Sequence, residues 1–186
     1  MSILVTGGAR SGKSSFAEKL CMSLDKEAVY VATAQAFDEE MTGRIALHRL
    51  QRIQAEYAWQ TIEEPLKLAE KLRTWRVTSD QAPTVLVDCL TLWLSNVLLA
   101  LEEEPDMEQK VETAMDELMS EISAYPGQLV LVTNEVGSGI VPAYRLGRQF
   151  RDFAGFLNQA VARSCTQVFL VTAGIPIELK SREYHL

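Results

Sequence analysis

The 186 residues of this chain fit one globular domain with a full core. Apolar residues make up 47% and charged residues 23% of the sequence, which excludes a disordered or fibrous protein. Acidic residues outnumber basic ones by 25 to 18, so the net charge of -7 excludes a general attraction to nucleic acid. We therefore expect a single domain over 1–186, with any phosphate-binding surface confined to a local basic patch.

The cysteine pattern and the most apolar segment bear on the cellular compartment. Cys21, Cys89 and Cys165 are odd in number, far apart and outside any metal-binding spacing, which is typical of reduced thiols in a core. The most apolar run, 90–101, is too short to cross a bilayer and contains polar residues. We expect a cytoplasmic protein without a membrane span.

Short runs rich in β-branched residues alternate along the chain with longer amphipathic segments. Runs this continuous are typical of strands buried on both faces. The predicted strands lie at 3–7, 28–33, 84–89, 129–134 and 167–172. The predicted helices lie at 13–24, about 38–55, 65–76, 90–102, 107–124 and 143–164. This alternation predicts an α/β fold in which helices flank a mostly parallel sheet with right-handed crossovers.

The first predicted strand runs directly into a glycine-rich loop that opens a helix. The loop has the P-loop spacing of two glycines followed by lysine and serine. Its residues are Gly7, Gly8, Ala9, Arg10, Ser11, Gly12, Lys13 and Ser14. Glycines allow backbone N–H groups to surround an anion, and the helix N-terminus adds partial positive charge. We predict that the loop binds nucleotide phosphates, that Lys13 neutralises the terminal phosphates and that Ser14 ligates Mg²⁺. The alternative is a glycine-rich turn without a ligand.

Acidic residues follow two other predicted strands. Asp88 ends the third strand, where P-loop proteins carry the carboxylate that holds Mg²⁺ together with the P-loop hydroxyl. Its alternative role is that of a helix N-cap. Glu135 follows the fourth strand and precedes Gly137 and Gly139, which suit a loop that passes close to a ligand. Glu135 is a candidate base or metal partner, and the alternative is a carboxylate that stabilises its own loop.

The second predicted helix carries a histidine among arginines. At helical spacing Arg44, His48 and Arg52 form one stripe. Neighbouring guanidinium groups disfavour a protonated imidazole and attract phosphate, and a neutral imidazole beside phosphate can act as a nucleophile. The alternative is a solvated basic helix face. The residues expected on the opposite, core-facing side of the helix are Ala46, Leu50 and Ile53.

Several motifs together resemble one family, the bifunctional adenosylcobinamide kinase / adenosylcobinamide-phosphate guanylyltransferases. They are "ILVTGGARSGKS", "YVATAQAFDEEM", "RIALHR", "TIEEP", "VDCLTLWLSN", "LVTNEVGSGIVP" and "GRQFRDFAGFLNQ", and they extend over nearly the whole chain. The resemblance implies a P-loop NTPase fold with a RecA-like sheet. It also implies two reactions: phosphorylation of adenosylcobinamide, then transfer of GMP from GTP to the phosphorylated corrinoid through a guanylyl-histidine.

The resemblance assigns roles to particular residues. It implies His48 as the guanylylated nucleophile and Lys13 as the catalytic lysine of the P-loop. Nucleotide contacts are expected from Thr33, Ala34 and Gln35, from Arg49, Leu50, Gln51 and Arg52, and from Glu63 and Asp88, in addition to the P-loop. Glu63 is a candidate reader of the guanine base, and its alternative role is that of a carboxylate at a helix N-terminus. The resemblance further implies ATP and GTP as substrates, Mg²⁺, a corrinoid substrate and a homo-oligomer, namely a trimer.

Two other functions remain compatible with the residues. One is a P-loop kinase of a small molecule that lacks guanylyl transfer, with His48 as a surface residue. The other is a nucleotide-binding regulatory module that performs no chemistry on a metabolite. Arg145, Arg148 and Arg151 either contact phosphate or corrinoid amides or form a solvated helix face.

Overall fold

The computed structural model describes residues 1–35, 39–78 and 81–184, without the side chains at 39–41, 44, 45, 48, 49 and 51. Seven strands lie in these ranges: β1 (Ser2–Thr6), β2 (Glu27–Ala32), β3 (Ala58–Glu63), β4 (Val85–Asp88), β5 (Leu129–Val132), β6 (Gln167–Thr172) and β7 (Ile175–Glu178). The α-helices in the same ranges are α1 (Lys13–Leu24), α2 (Glu39–Gln54), α3 (Leu68–Thr78), α4 (Leu90–Leu101), α5 (Met107–Ala124) and α6 (Arg145–Ser164). A 3-10 turn, Lys180–Arg182, follows β7.

The strands form one twisted sheet in the order β3-β2-β4-β5-β1-β6-β7. Every neighbouring pair is parallel except β6 and β7, so the carboxyl ends of the first six strands meet at one edge. The five predicted strands are confirmed, with ends that differ by at most two residues. Strands β3 and β7 were not predicted. Both are edge strands with largely exposed residues, and therefore lack the continuous apolar run that marked the others.

Helices cover both faces of the sheet. Alternate residues of the central strands, such as Leu4 and Val5, point to opposite faces. One face packs against α1, and the other packs against α3, α4, α5 and α6. Helix α4 is buried along most of its length, and Trp93 in its first half is among the buried residues. The three cysteines are free and buried, as predicted.

Helix α2 contacts the rest of the protein through Arg52, which was predicted to lie on its outward side. Leu50 and Ile53 are 51% and 79% exposed and Ala46 is also exposed, so the prediction that they face the core was wrong. Arg52 is instead only 5% exposed. Its guanidinium lies over the ring of Tyr30, 3.6 Å from the centroid, because a flat cation can be buried by stacking on an aromatic face.

The other predicted helices are confirmed with small shifts. Helix α3 begins three residues later than predicted, at Leu68, because the chain first completes β3 and a turn. The residues at 102–106 form the expected exposed turn between α4 and α5. In the described parts of the chain, no helix combines the length and apolar character that crossing a bilayer requires.

Candidate active site

The glycine-rich loop connects β1 to α1 at the carboxyl edge of the sheet. Gly12 precedes the first residue of α1 with φ 93°, a conformation that favours glycine. A Cβ on Gly7 would overlap the carbonyl oxygen of Val171, whereas one on Gly8 would meet nothing within 4 Å. The loop is therefore tightly packed against β6 at Gly7 and open at Gly8, which leaves room for a phosphate. Lys13 is 8% exposed, and its Nζ donates a hydrogen bond to the Gly8 carbonyl at 3.1 Å.

The turn between β6 and β7 supports this loop from the side. The backbone N–H of Gly174 donates to the carbonyl of Ser11 at 2.8 Å. Gly174 has φ 79°, and its Cα lies 3.2 Å from the position of a Cβ on Gly12. This contact was not predicted. Gly174, two residues after the last predicted strand, was a local signal for a turn, and nothing in the sequence linked that turn to the P-loop.

Asp88 ends β4 as predicted, and its side chain has a specific partner. The hydroxyl of Tyr30 donates to Asp88 Oδ2 at 2.9 Å. Burial, reinforced by the charge of Asp88, raises the pKa of Tyr30 well above its ordinary value. Tyr30 therefore stays neutral and fixes the orientation of the carboxylate. The role of Tyr30 was not predicted, because a tyrosine within an apolar run is typical of a core residue.

The donor set at this edge matches the chemistry of Mg²⁺. Ser14 supplies a half-buried hydroxyl and Asp88 a half-buried carboxylate, and both are hard oxygen ligands. Within 1–35, 39–78 and 81–184 there is no cluster of three histidine, cysteine or acidic side chains that would hold a metal unaided. A metal here would take its other ligands from water and substrate phosphates, which is the usual arrangement for Mg²⁺.

Thr33 follows β2 and is fully buried in a polar network. Its Oγ1 donates to the carbonyl of Cys89 at 2.7 Å and accepts from the Cys89 N–H at 2.8 Å. Asn96 of α4 donates from Nδ2 to the carbonyls of Thr33 at 2.8 Å and Pro65 at 3.1 Å. This network ties the ends of β2, β3 and β4 together. Ala34 and Gln35 follow it and are half-buried.

Glu63 ends β3 and lines a cavity of about 580 Å³ at the sheet edge. The other lining residues are Arg52, Ile53, Tyr57, Trp59 and Thr61. The rings of Tyr57 and Trp59 lie 4.8 Å apart and form one wall. Glu64, not Glu63, accepts the N–H groups of the turn before α3, at 3.2 Å from Leu66 and 2.7 Å from Lys67. Glu63 therefore lies at the cavity, and Glu64 is the carboxylate that caps the turn before α3.

The predicted histidine and its neighbours lie in α2. The side chains of His48, Arg49 and Gln51 fall outside the described residues. Position 48 precedes Arg52 by one helical turn. Leu50 is exposed, while Arg52 is buried against Tyr30 and pairs with Glu18 of α1, with 3.6 Å between its NH1 and Glu18 Oε1.

Glu135 begins a loop that two arginines of α6 hold in place. Its backbone N–H donates to the Gly7 carbonyl at 3.1 Å, and its carboxylate accepts the N–H of Gly137 at 3.2 Å. Arg151 donates to the carbonyl of Gly137. Arg148 donates to the carbonyls of Pro142 at 3.2 Å and Ala143 at 2.7 Å. Arg148 is exposed and Arg151 is half-buried, and both donate to backbone carbonyls within residues 137–143, a role that was not predicted.

The arrangement of loop, acid and helix corresponds to a known family. The family model described as cobinamide kinase / cobinamide phosphate guanyltransferase matches residues 3–179. The chain belongs to this family. Members of the cobinamide kinase / guanyltransferase family among characterised proteins match it along almost their full length. It is 44% identical to a bifunctional adenosylcobalamin biosynthesis protein of Pseudomonas aeruginosa, over 97% of this chain and 98% of that protein. It is 42% identical to a bifunctional adenosylcobalamin biosynthesis protein of Salmonella typhimurium, over 97% of this chain and 100% of that one.

Solved structures confirm the predicted fold class. An ATPase from the type III secretion system of pathogenic bacteria superposes with a TM-score of 0.51 at 14% identity. The superposition covers all of this chain and 58% of the ATPase chain. At this identity the likeness concerns the fold alone. It agrees with the predicted α/β fold, in which helices flank a mostly parallel sheet.

Proposed function

We propose that this protein phosphorylates adenosylcobinamide with a nucleoside triphosphate, and then transfers GMP from GTP to adenosylcobinamide phosphate through a guanylyl-histidine at His48. The observation that carries the proposal is the P-loop beside Asp88 at one sheet edge, in a chain that matches the family from residue 3 to residue 179. The proteins that match at 40–44% identity are named bifunctional, which supports two reactions on this one domain.

For the phosphorylation step, the loop and its helix supply the anion site. The N–H groups of the P-loop and the N-terminus of α1 would bind the phosphates. Lys13 would exchange its hydrogen bond with the Gly8 carbonyl for one with the terminal phosphate oxygens. Ser14 and Asp88 would hold Mg²⁺, which neutralises charge on the phosphate oxygens when it is bound. The backbone of Glu135 is hydrogen-bonded to Gly7 of the P-loop, and its side chain is exposed. The carboxylate could therefore accept a proton from the corrinoid hydroxyl.

For guanylyl transfer, a neutral imidazole of His48 would attack the α-phosphorus of GTP. A phosphorus–nitrogen bond forms as the bond to pyrophosphate breaks, and pyrophosphate leaves with the electron pair. A phosphate oxygen of adenosylcobinamide phosphate then attacks the same phosphorus, and the imidazole regains its electron pair. Arg49 and Arg52, together with Leu50 and Gln51, are the proposed nucleotide contacts on α2.

The cavity beside β3 is the proposed site of the guanine base. Its aromatic wall of Tyr57 and Trp59 suits a planar ring, and its volume of about 580 Å³ is large enough to admit one. The carboxylate of Glu63 can accept hydrogen bonds from N1–H and N2–H of guanine together. Thr33, Ala34 and Gln35 would contact the nucleotide where β2 ends. We propose in addition a cytoplasmic homo-oligomer, namely a trimer, on the strength of the family resemblance.

A covalent-labelling experiment tests the proposal. The protein is incubated with Mg²⁺ and GTP radiolabelled at the α-phosphate, then denatured and treated with alkali or acid. We expect label that survives alkali and is lost in acid, as for a phosphoramidate. His48→Ala should abolish the label, whereas His185→Ala should retain it, and these are the two histidines of the chain.

Turnover with adenosylcobinamide separates the competing functions. We expect His48→Ala to phosphorylate the corrinoid while it forms no GDP derivative. Phosphorylation by a wild-type protein that never becomes labelled would indicate a kinase without guanylyl transfer. Nucleotide binding without turnover of the corrinoid would indicate a regulatory module.

A further inference from the structure

A buried ionic cluster joins α2 to the helix of the P-loop. Arg52 is 5% exposed and Glu18 is 18% exposed, and the two side chains are 3.6 Å apart. Tyr30 of β2 lies beneath the guanidinium, with 3.6 Å between Arg52 Cζ and its ring centroid. The cluster therefore connects three elements of the structure, α1, β2 and α2.

The pairing is poorly satisfied. Arg52 Nε and NH1 and Glu18 Oε1 are buried and have no hydrogen-bond partner among the residues that the structure describes. Burial raises the pKa of Glu18, although Arg52 acts in the opposite direction. A buried ion pair with unmet hydrogen bonds is weak evidence for stability, because apolar residues of similar volume often serve as well or better. Stability alone therefore does not explain why Glu18 and Arg52 occupy this place.

The cluster lies between the groups that carry the proposed chemistry. Glu18 follows Ser14 by one turn of α1, and Arg52 follows position 48 by one turn of α2. The hydroxyl of Tyr30 donates to Asp88. The ion pair thus spans from the phosphate-binding helix to the helix of the proposed nucleophile.

The apolar side chains described in the C-terminal half of α2 do not pack into the core. Leu47, Leu50 and Ile53 are 56%, 51% and 79% exposed. Among the described side chains of the helix, Arg52 is the one that is buried. The placement of the C-terminal half of α2 therefore depends on what Arg52 contacts.

We propose that Glu18 is a positioning residue for guanylyl transfer. Glu18 holds Arg52 on the ring of Tyr30, and this contact fixes the position of the preceding turn of α2, which contains residue 48, relative to the P-loop. The inference rests on the proposed guanylyl-histidine. Glu18 would act chiefly on the covalent step, since the phosphorylation step uses the P-loop, Asp88 and Glu135 and needs no group from α2. A misplacement of about 1 Å can slow a reaction by about 100-fold.

Glu18→Gln tests this role, because it keeps the side-chain volume and removes the charge. Glu27→Gln, at the exposed start of β2 on the opposite edge of the sheet, is the matched control. We expect Glu18→Gln to slow formation of the guanylyl-enzyme about 10- to 100-fold at saturating GTP. The kcat for phosphorylation of adenosylcobinamide should stay within about twofold, and the control should change neither rate.

Hydrogen exchange provides a readout that does not depend on the chemistry. Amides of α2 should exchange faster in Glu18→Gln than in the wild type, while those of α5 should not change. Unchanged exchange in α2, or an equal loss of both activities, would overturn the inference. If Glu18→Gln does not fold, Glu18→Asp, which keeps the charge on a shorter side chain, is judged by the same outcomes. A wild-type protein without covalent label would overturn the proposed function, and α2 exchange would still test whether Glu18 anchors the helix.

Discussion

Replacement of Asn96 by alanine should weaken the junction of three strand ends. The side chain of Asn96 is 5% exposed, and its Nδ2 donates to the carbonyls of Thr33 and Pro65 at 2.8 and 3.1 Å. Each hydrogen bond contributes about 1 kcal/mol net. Loss of both should therefore lower the free energy of unfolding by about 2 kcal/mol. For a chain of this length, that corresponds to a fall in Tm of about 4–8 °C.

The same change should weaken GTP binding, because the segment after Thr33 leads to the proposed nucleotide contacts at Ala34 and Gln35. Thermal unfolding followed by circular dichroism gives the stability, and titration calorimetry gives the GTP affinity. Gln109→Ala on the exposed face of α5 is the control and should alter neither. A Tm of Asn96→Ala within about 1 °C of wild type would refute the reasoning, since it would mean that both carbonyls find other partners.

Two further predictions concern the β6–β7 hairpin. Gly174→Ala should lower the free energy of unfolding by about 1–2 kcal/mol, because its φ of 79° disfavours a residue with a Cβ. It should also weaken GTP binding, because the N–H of Gly174 supports Ser11 of the P-loop. In the same denaturant titrations, the control Gly155→Ala within α6 should be neutral or stabilising. Hydrogen bonds from the Ser181 side chain and from nearby backbone N–H groups lower the pKa of Glu178 to about 2. A lowered pKa adds stability above the ordinary value of about 4.5, and this is lost as the pH falls toward about 2. As the pH is lowered across this interval, the Tm of Glu178→Gln should therefore fall less steeply than that of the wild type. Identical slopes of Tm against pH would contradict the prediction.

Local chemistry made much of the candidate site predictable. The P-loop is contiguous in sequence, and Asp88 and Glu135 follow apolar runs that could be recognised as buried strands. Because parallel strands share one carboxyl edge, these residues could be assigned to one site without coordinates. Arg148 and Arg151 show the limit of this approach, since their acceptors are backbone carbonyls that no sequence motif reveals.

The sequence by itself determined the alternation of strands and helices, the phosphate-binding loop and the family. Each of these is encoded in neighbouring residues or in a pattern with a fixed period. Only the tertiary structure decided which side of α2 is buried. Periodicity favoured Leu50 and Ile53, but the ring of Tyr30 and the carboxylate of Glu18 accept the Arg52 side chain instead. The partners of a buried cation come from distant parts of the chain, so its burial depends on the assembled fold and not on its own helix.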